Sequence, residues 1–253
     1  MWRGRTVSVV LPTYNEKGSI RQFIEDVLAT GVVDEVVVVN NNAAAGTSEE
    51  VAKTAAREVI EPQQGYGFAS RRGLAEATGD YIVLAEPDGT FVARDVLKLL
   101  AYAEDFDVVY GTRTARELIW EGANMGWFLK WGNWAVAKLM EILFNSTNLT
   151  DVGCTMRLIS RPALQRIRSH FQVGGSHFGP EMMLLSFSYG LRVIQIPVNY
   201  RQRVGRSSVT GSNRVAFALG LRMIGLILAF RLQTWRGRRA GRRTTLRTGN
   251  DPV

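Results

Sequence analysis

Two carboxylates stand one residue apart directly after an apolar run, in the stretch GDYIVLAEPDGTF. The run from Tyr81 to Ala85 is continuous and apolar, which is typical of a strand that is buried on both faces of a sheet. Glu86 and Asp88 follow it, and Pro87 stiffens the turn between them. Hard oxygen ligands at this spacing suit a divalent cation that also holds phosphate oxygens. The same pattern also suits an acidic turn whose Asp88 only caps the next helix.

Strand and helix patterns alternate over roughly the first 110 residues, with short polar loops between them. The predicted strands are Thr6 to Leu11, Val36 to Val39, Val59 to Ile60, Tyr81 to Ala85 and Asp107 to Tyr110. This alternation predicts an α/β fold with a mostly parallel central sheet and helices on both faces. Ligands bind beyond the carboxyl ends of strands in such sheets, so the acidic pair lies where a ligand is expected.

Composition excludes several classes of protein. With 253 residues, 46% of them hydrophobic and only 7 prolines, the chain is long and apolar enough for a substantial core. Its single cysteine, Cys154, excludes an internal disulfide framework and fits a reducing compartment. His170 and His177 are isolated and predict no metal site, and no signal peptide pattern opens the chain.

The net charge of +8 is concentrated at the C-terminal end. From Arg192 onward the chain has 13 arginines and one acid, Asp251, whereas residues 1–191 have 18 Lys and Arg against 22 Asp and Glu. A basic end on a weakly acidic body predicts an anionic partner, and both nucleic acid and anionic lipid satisfy that charge. No module that reads a nucleic-acid groove is present, so nucleic acid is not the predicted partner.

Aromatic residues are concentrated between Trp120 and Phe144, where Trp127, Trp131 and Trp134 share one helical face. Tryptophan beside lysine is typical of a helix in a membrane interface, although an aromatic core helix has the same pattern. The segment Val215 to Phe230 is apolar except for one arginine, and its 16 residues would rise about 24 Å, short of the roughly 30 Å hydrocarbon core. We therefore predict an interfacial or protein-packed helix there.

The arginines that follow this helix suit anionic headgroups, and they equally suit a solvated, flexible tail. They are Arg236, Arg238, Arg239, Arg242, Arg243 and Arg247.

Eight motifs, one of which contains the acidic pair, occur in a characteristic order at strand ends and in turns. They are PTYNE at 12–16, VVVVNNN at 36–42, QGYGFASRRGL at 64–74, EPDGTF at 86–91, YGTR at 110–113, DVGCTMR at 151–157, GPEMML at 179–184 and PVNYRQRVGRSS at 197–208. Together they resemble the family-2 glycosyltransferases of GT-A fold, and within these the polyprenyl- or dolichyl-phosphate sugar synthases. The resemblance covers roughly residues 6 to 232.

The resemblance implies an inverting glycosyltransferase that moves a hexose from a UDP- or GDP-sugar to a polyprenyl or dolichyl phosphate. It implies Mg²⁺ or Mn²⁺ as cofactor and a peripheral or monotopic position at the cytoplasmic face of a membrane. Cell envelope glycan biosynthesis or protein glycosylation would be the setting. It also leaves room for a homo-oligomer or a membrane-protein partner.

The resemblance also assigns residues to the donor. Glu86 and Asp88 match the metal motif, with glutamate in place of the usual first aspartate. Asn40 and Asn41 stand where the family usually has an aspartate for the base. The implied nucleotide-sugar set is Pro12, Thr13, Tyr14, Glu16, Asn40, Asn41, Gln64, Gly65, Arg71, Glu86, Pro87 and Asp88.

For the acceptor phosphate the resemblance implies Arg113, Arg157, Arg203 and Arg206. A lipid phosphate is already ionised and needs positioning rather than a base. An alcohol acceptor would need a general base, and the candidates are Asp151 and Glu181. Both have a structural alternative, in which Asp151 caps the segment that follows it and Glu181 is the acid in the first turn of the helix after Pro180. The implied catalytic set is Asp88, Arg113, Asp151, Glu181 and Arg203.

We expect one GT-A domain over 1–232, with a nucleotide-sugar half at 6–113, an acceptor half at 114–212 and an interfacial helix at 213–232. A flexible basic tail would occupy 233–253. Two other functions fit the residues: transfer to a sugar hydroxyl of a glycolipid or cell-surface polysaccharide, and a degenerate nucleotide-sugar-binding regulator. The second rests on Glu86, Asn40 and Ser208, which depart from the family pattern.

Overall fold

The computed structural model of the chain describes residues 1–120, 127–204 and 213–247. Seven strands form one sheet: β1 (Val7–Thr13), β2 (Glu35–Asn40), β3 (Arg57–Ile60), β4 (Tyr81–Leu84), β5 (Val108–Thr112), β6 (Arg157–Ser160) and β7 (Val193–Pro197). Their order across the sheet is β3-β2-β1-β4-β6-β5-β7. β6 is antiparallel to β4 and β5, and the other pairs are parallel. The predicted α/β class and mostly parallel sheet are confirmed.

The helices of the described residues lie on both faces of the sheet. They are α1 (Ile20–Leu28), α2 (Thr47–Val51), α3 (Tyr66–Glu76), α4 (Asp95–Ala101), α5 (Trp127–Phe144), α6 (Arg161–Ile167), α7 (Phe178–Ser188) and α8 (Asn213–Arg247). One core contains α1 and α4, and the other contains α3, α5, α6, α7 and α8. β1 supplies both cores because its side chains alternate: Val7, Val9 and Leu11 face one, and Val10 faces the other.

The carboxyl ends of β1, β2 and β4 meet at one edge of the sheet because these strands are parallel neighbours. Pro12 and Thr13 end β1, Asn40 ends β2, and Glu86 follows β4 by two residues. The antiparallel β6 separates this edge from β5 and β7. The fold therefore brings the polar strand ends together, as the sequence predicts.

α8 is longer than expected, because the structure continues it to Arg247 through the stretch predicted to be a flexible tail. Arginine, alanine and leucine have high helix propensity, so this basic stretch can extend the helix. One face of α8 packs on the body of the protein through Met223 and Ile227. Another face exposes an apolar stripe: Phe217, Leu221, Leu228, Leu232 and Trp235.

The stretch Ala216–Trp235 is the part of the described residues that is long and apolar enough to cross a membrane, with a mean hydropathy of 1.5. Only 11% of this window is buried against the protein. On the neighbouring α5, Trp131 and Trp134 are exposed and contact each other edge to face. The two helices together therefore present an apolar surface, which we call the α5–α8 surface.

The close packing of α3 on the sheet depends on Gly73. A Cβ at this position would overlap Val10 Cγ1 and lie 2.8 Å from Val39 Cγ2, so β1 and β2 leave no space for a side chain.

We expect Gly73→Ala to lower the free energy of unfolding by about 1–3 kcal/mol through overpacking, measured by urea denaturation. As a control, Gly132→Ala on the exposed face of α5 meets no atom within 4 Å and should stabilise by about 0.5–1 kcal/mol. Equal midpoints for the two variants would contradict this packing.

Candidate functional site

Three carboxylates converge on one guanidinium at the carboxyl edge of the sheet. Arg203 Nη1 lies 2.8 Å from Asp88 Oδ2 and 3.7 Å from Glu86 Oε2, and Arg203 Nη2 lies 3.1 Å from Glu16 Oε1. The side chain of Asp88 is 2% exposed, whereas those of Glu86 and Arg203 are 23% and 27% exposed. The predicted acidic pair therefore opens to solvent on one side and already holds a cation.

The turn after β4 fixes the orientation of Asp88. Its Oδ1 accepts the backbone N–H of Thr90 at 2.9 Å and the Thr90 hydroxyl at 2.5 Å, and Gly89 has a φ of 82° that favours glycine. α4 begins only at Asp95. Asp88 therefore shapes its own turn rather than capping α4, and its Oδ2 is the oxygen that faces the site.

Residues 199–204, which we call the strap, cross over this turn. The backbone N–H of Arg201 donates to the Thr90 carbonyl at 2.7 Å, and that of Val204 donates to the Asp88 carbonyl at 2.9 Å. A Cβ on Gly89 would lie 2.9 Å from Val204 Cγ2, so the strap needs a glycine beneath it. The strap carries Arg203 onto the acids.

The start of the strap is anchored separately. The buried Asp95 carboxylate accepts the Asn199 backbone N–H at 2.5 Å and its side-chain amide at 2.8 Å. The Arg201 guanidinium stacks on Trp120, 3.9 Å from the ring centroid. The strap is therefore fixed near residue 199 by contacts that do not involve Glu16, Glu86 or Asp88.

The electrostatics of the acid cluster favour a cation. Burial, and after it the neighbouring charge on Asp88, raise the pKa of Glu86 to about 8 against the opposing effect of Arg203. Like charges held this close in a poorly solvated place need positive charge between them. The hard oxygens of Glu86 and Asp88 therefore fit a divalent cation chemically.

Glu16 and its neighbours form one wall of the site. Glu16 Oε2 accepts the backbone N–H groups of Tyr14 at 2.6 Å and Asn15 at 2.8 Å, while its other oxygen faces Arg203. The Thr13 hydroxyl donates to the backbone at 3.1 Å. Tyr14 is 43% exposed, so its ring is the part of this wall that is open to a ligand.

Asn41 organises the loop between β3 and α3. Its amide nitrogen donates to the carbonyls of Glu61 at 2.8 Å and Gln63 at 2.7 Å. Its oxygen accepts the Gly65 N–H at 2.8 Å and the Gln64 amide at 3.2 Å. Asn41, which the resemblance places near the base, therefore uses its amide group to hold the loop that carries Gln64 and Gly65.

Asn40 is engaged in a similar way. It donates to the Ser48 hydroxyl and to a Glu58 carboxylate oxygen, both at 3.0 Å, and it accepts the Ala43 N–H at 2.8 Å. These contacts join the end of β2 to α2 and β3. Both asparagines thus shape the site edge rather than leave an open amide in it.

The amino end of α3 is closed by a backbone carbonyl. The Gly174 oxygen accepts the N–H groups of Gly67 at 2.9 Å and Phe68 at 3.2 Å. A Cβ on Gly65, where φ is 150°, would overlap that same oxygen. Two of the N–H groups that a helix start leaves unpaired are therefore satisfied by the protein.

Glu181 holds the loop that supplies this carbonyl. Its carboxylate accepts the backbone N–H groups of Gln172 at 2.8 Å and Val173 at 3.0 Å, and it is 1% exposed. Burial raises its pKa, although these N–H groups act in the opposite direction. These contacts match a structural role for Glu181 better than the role of a general base that is open to a substrate.

Arg113 and Asp151 form a buried two-point ion pair. Arg113 Nε and Nη2 lie 2.8 Å and 3.0 Å from the two oxygens of Asp151, which also accepts the Arg113 N–H at 3.1 Å. Burial alone would raise the pKa of Asp151, but the guanidinium outweighs it and the pKa is lowered. Asp151 also accepts the Gly153 N–H at 2.9 Å. Arg113 itself lies over the Tyr200 ring, 5.3 Å from its centroid.

Arg157, which the resemblance assigns to a phosphate, is 1% exposed. Its guanidinium donates to the carbonyls of Gly179, at 3.1 Å, and Cys154, and it lies over the Tyr110 ring. These contacts fix the start of α7 beneath the site and leave no exposed donor. Burial raises the pKa of Cys154 to about 12, which is unsuited to a nucleophile.

Arg71 lines a groove of about 410 Å³ whose lining does not include Glu86 or Asp88. The groove is also lined by Gln63, Phe68, Arg168 and Phe171. The Arg71 guanidinium lies 6.0 Å from the Phe68 ring centroid. Arg206 lies outside the described residues.

Sequence reasoning missed three contributors: the Asn199–Asp95 anchor, the Tyr200 ring under Arg113, and the Gly174 carbonyl. A buried acid in the first turn of α4 was visible, but nothing in the sequence linked it to a residue about 100 positions away. The glycine pair at 174–175 was the only signal of a close backbone approach.

Comparison with known proteins gives one family and several relatives. The model of the family described as Glycosyl transferase family 2 matches residues 8–168. The low-salt glycan biosynthesis hexosyltransferase of Haloferax volcanii is 29% identical over 210 residues, 81% of this chain and 50% of that protein. A dolichyl-phosphate hexose transferase of the same organism is 29% identical over 205 residues, 80% of this chain and 86% of that protein. The chain therefore spans about half the length of the first relative and most of the second.

Among solved structures, glucosyl-3-phosphoglycerate synthase from Mycobacterium tuberculosis is similar, in a complex with Mn²⁺, UDP and phosphoglyceric acid. The TM-score is 0.68 at 19% identity, and the match covers 90% of this chain and 79% of that one. This likeness shows the fold.

We predict that breaking the buried Arg113–Asp151 pair strongly destabilises the protein. Asp151→Asn leaves a largely buried guanidinium without its charge partner, which should lower the free energy of unfolding by about 3–5 kcal/mol. Because the folded pKa of Asp151 is lowered, its contribution is complete above the ordinary value of about 3.9 and is lost as pH falls through the lowered pKa. Urea denaturation at pH 5 to 8 should therefore show the full difference.

Glu25→Gln is the matched control for this variant. Glu25 pairs with Arg21 at 2.8 Å on the exposed face of α1, so its loss should change stability by less than about 0.5 kcal/mol. Similar denaturation midpoints for Asp151→Asn and the wild type would rule out the predicted role.

Proposed function

Since the chain belongs to glycosyl transferase family 2, we propose that it moves a hexose from a nucleotide diphosphate sugar to a polyprenyl or dolichyl phosphate. It is a glycosyltransferase of GT-A fold. In the proposed reaction, a phosphate oxygen of the acceptor attacks C1 of the hexose and the bond from C1 to the donor diphosphate breaks. The diphosphate leaves with that electron pair, and the configuration at C1 inverts.

The observation that carries the phosphate acceptor is that both candidate bases are engaged. Asp151 is paired with Arg113 at two points, and Glu181 is bound by the backbone N–H groups of residues 172 and 173. A hydroxyl acceptor needs a group that takes its proton. An ionised phosphate needs only positioning and positive charge, which suits a site with guanidinium groups in which both candidate bases are engaged.

We assign the acceptor phosphate to Arg113 and Arg203. Arg113 binds Asp151 through Nε and Nη2, Tyr200 contacts the same guanidinium, and the side chain is 13% exposed, which is the part we assign to the phosphate. Planar guanidinium groups suit phosphate oxygens. Arg157 then acts as a positioning residue, because its donors hold the carbonyls of Cys154 and Gly179.

On the donor side, we assign a divalent cation, Mg²⁺ or Mn²⁺, to Glu86 and Asp88. Such an ion would neutralise the charge that develops on the leaving diphosphate. In the described part of the chain, no group of three His, Cys, Asp or Glu side chains is placed to hold a metal alone. The donor diphosphate would therefore have to supply ligands, which links binding of the ion to binding of the donor.

The nucleoside would lie against the exposed Tyr14 ring, beside the loop that Asn41 holds. Thr13, Glu16, Asn40 and Asn41 would then shape the pocket, because their side chains are engaged by other protein groups. The relative named a dolichyl-phosphate hexose transferase supports a lipid phosphate acceptor. The Mn²⁺ and UDP in the similar solved structure support the cation and the donor class.

We further propose that the α5–α8 surface rests on a membrane, at its cytoplasmic face. The apolar stripe of α8 and the exposed tryptophans of α5 suit the interface, and the basic C-terminal end suits anionic headgroups. This position would bring the lipid phosphate to the acceptor half of the protein.

The first test measures transfer with purified protein. Radiolabelled UDP- and GDP-hexoses are incubated with a short polyprenyl phosphate, Mn²⁺ or Mg²⁺, and detergent. We expect label in the lipid extract with one donor class and loss of transfer when EDTA removes the cation. Label on a sugar hydroxyl or on phosphoglyceric acid would overturn the lipid acceptor. Donor binding without any transfer would favour the degenerate regulator.

The second test measures membrane binding by vesicle flotation. Leu221→Glu with Leu228→Glu places two charges on the apolar stripe of α8, which should reduce binding to vesicles with anionic phospholipid by about tenfold or more. Ile60→Glu with Tyr102→Glu is the control, because these residues are also exposed and apolar but lie outside the α5–α8 surface. Equal binding by both double variants would contradict the proposed orientation.

A further inference from the structure

Arg203 occupies the place that the proposed function gives to the divalent cation. Its Nη1 is 2.8 Å from Asp88 Oδ2 and 3.7 Å from Glu86 Oε2, and its Nη2 is 3.1 Å from Glu16. Asp88 Oδ1 is committed to Thr90. Oδ2 is therefore the Asp88 oxygen that is available to a cation, and the Arg203 guanidinium already contacts it.

We propose that Arg203 is a resident counter-cation that competes with the divalent ion for Glu86 and Asp88, and that it must leave them before the donor complex is complete. This inference rests on the proposed function, because it uses the same acids as the ion site. Two positive centres on one carboxylate oxygen repel each other strongly in a poorly solvated place. The ion and the guanidinium therefore exclude one another.

The strap gives Arg203 a way to move. Val204 binds the Asp88 carbonyl through its N–H, so withdrawal of Arg203 pulls on this hydrogen bond. Asn199 is held by Asp95 through two hydrogen bonds that do not involve the acid pair. The strap therefore releases at its 201–204 end and stays attached at 199.

This exchange implies an order of events. While the acids lack the ion, Arg203 neutralises them and its guanidinium is not available to a phosphate. When the ion takes the acids, Arg203 is released beside the cleft. The second arginine of the acceptor site is thus available only after the donor and ion have bound, which favours donor before acceptor.

Mn²⁺ affinity tests the competition without a turnover assay. Calorimetric titrations compare wild type, Arg203→Gln and Arg203→Lys, each alone and with saturating UDP or GDP. We expect Arg203→Gln to bind Mn²⁺ about tenfold more tightly than wild type. Arg203→Lys keeps the charge and should stay close to wild type. Arg192→Gln controls for net charge, because Arg192 is exposed and pairs with Asp107 rather than with Glu86 or Asp88.

Amide hydrogen exchange on the wild type provides a second readout that needs no variant. Mn²⁺ with nucleotide should speed exchange at Val204 and leave the anchored Asn199 amide unchanged.

Equal or weaker Mn²⁺ binding by Arg203→Gln, or greater protection of Val204, would overturn the competition and leave the proposed function standing. If none of the proteins binds Mn²⁺ with or without nucleotide, the ion site of the proposed function falls as well.

Discussion

A single buried electrostatic problem governs this structure: three carboxylates from distant parts of the chain share one corner of a sheet. Carboxylates so placed repel each other unless positive charge stands between them. The positive charge comes from Arg203, which lies on the strap, and the strap is anchored by the hydrogen bonds between Asn199 and Asp95. The segments that follow β1, β4 and β7 are joined at this point, so the architecture of this edge of the sheet and its charge balance depend on each other.

Much of the polar machinery around this corner supports other groups instead of facing a ligand. Asn41 holds the 61–65 loop, Glu181 holds the loop at 172–174, and Asp151 holds Arg113. Each is a buried polar group whose hydrogen-bonding capacity is largely used, as buried polar groups generally require. Removing any of them would disturb its neighbours, so a loss of activity alone would not identify a residue that touches substrate.

Local pattern was sufficient for the first five strands and the acidic turn, because buried β-branched runs followed by polar turns are strong signals. β6 and β7 escaped prediction because polar or turn-forming residues interrupt or bound their short apolar stretches, RLIS and VIQIP. The meeting of Arg203 with Glu16 depends on residues far apart in the chain, which no local spacing encodes. The same limit applies to Arg157, because its burial follows from α7 packing over it and not from its own motif.

The closed amino end of α3 has a wider consequence. Many nucleotide-binding folds let the fixed dipole of a helix start attract the diphosphate. Here the Gly174 carbonyl already takes two of those N–H groups, so in the proposed reaction the donor diphosphate would be attracted by the cation and the guanidinium groups instead. If the proposal holds, the enzyme would bind its donor weakly in the absence of the ion, and its activity would depend on the concentration of divalent cations in the surrounding solution.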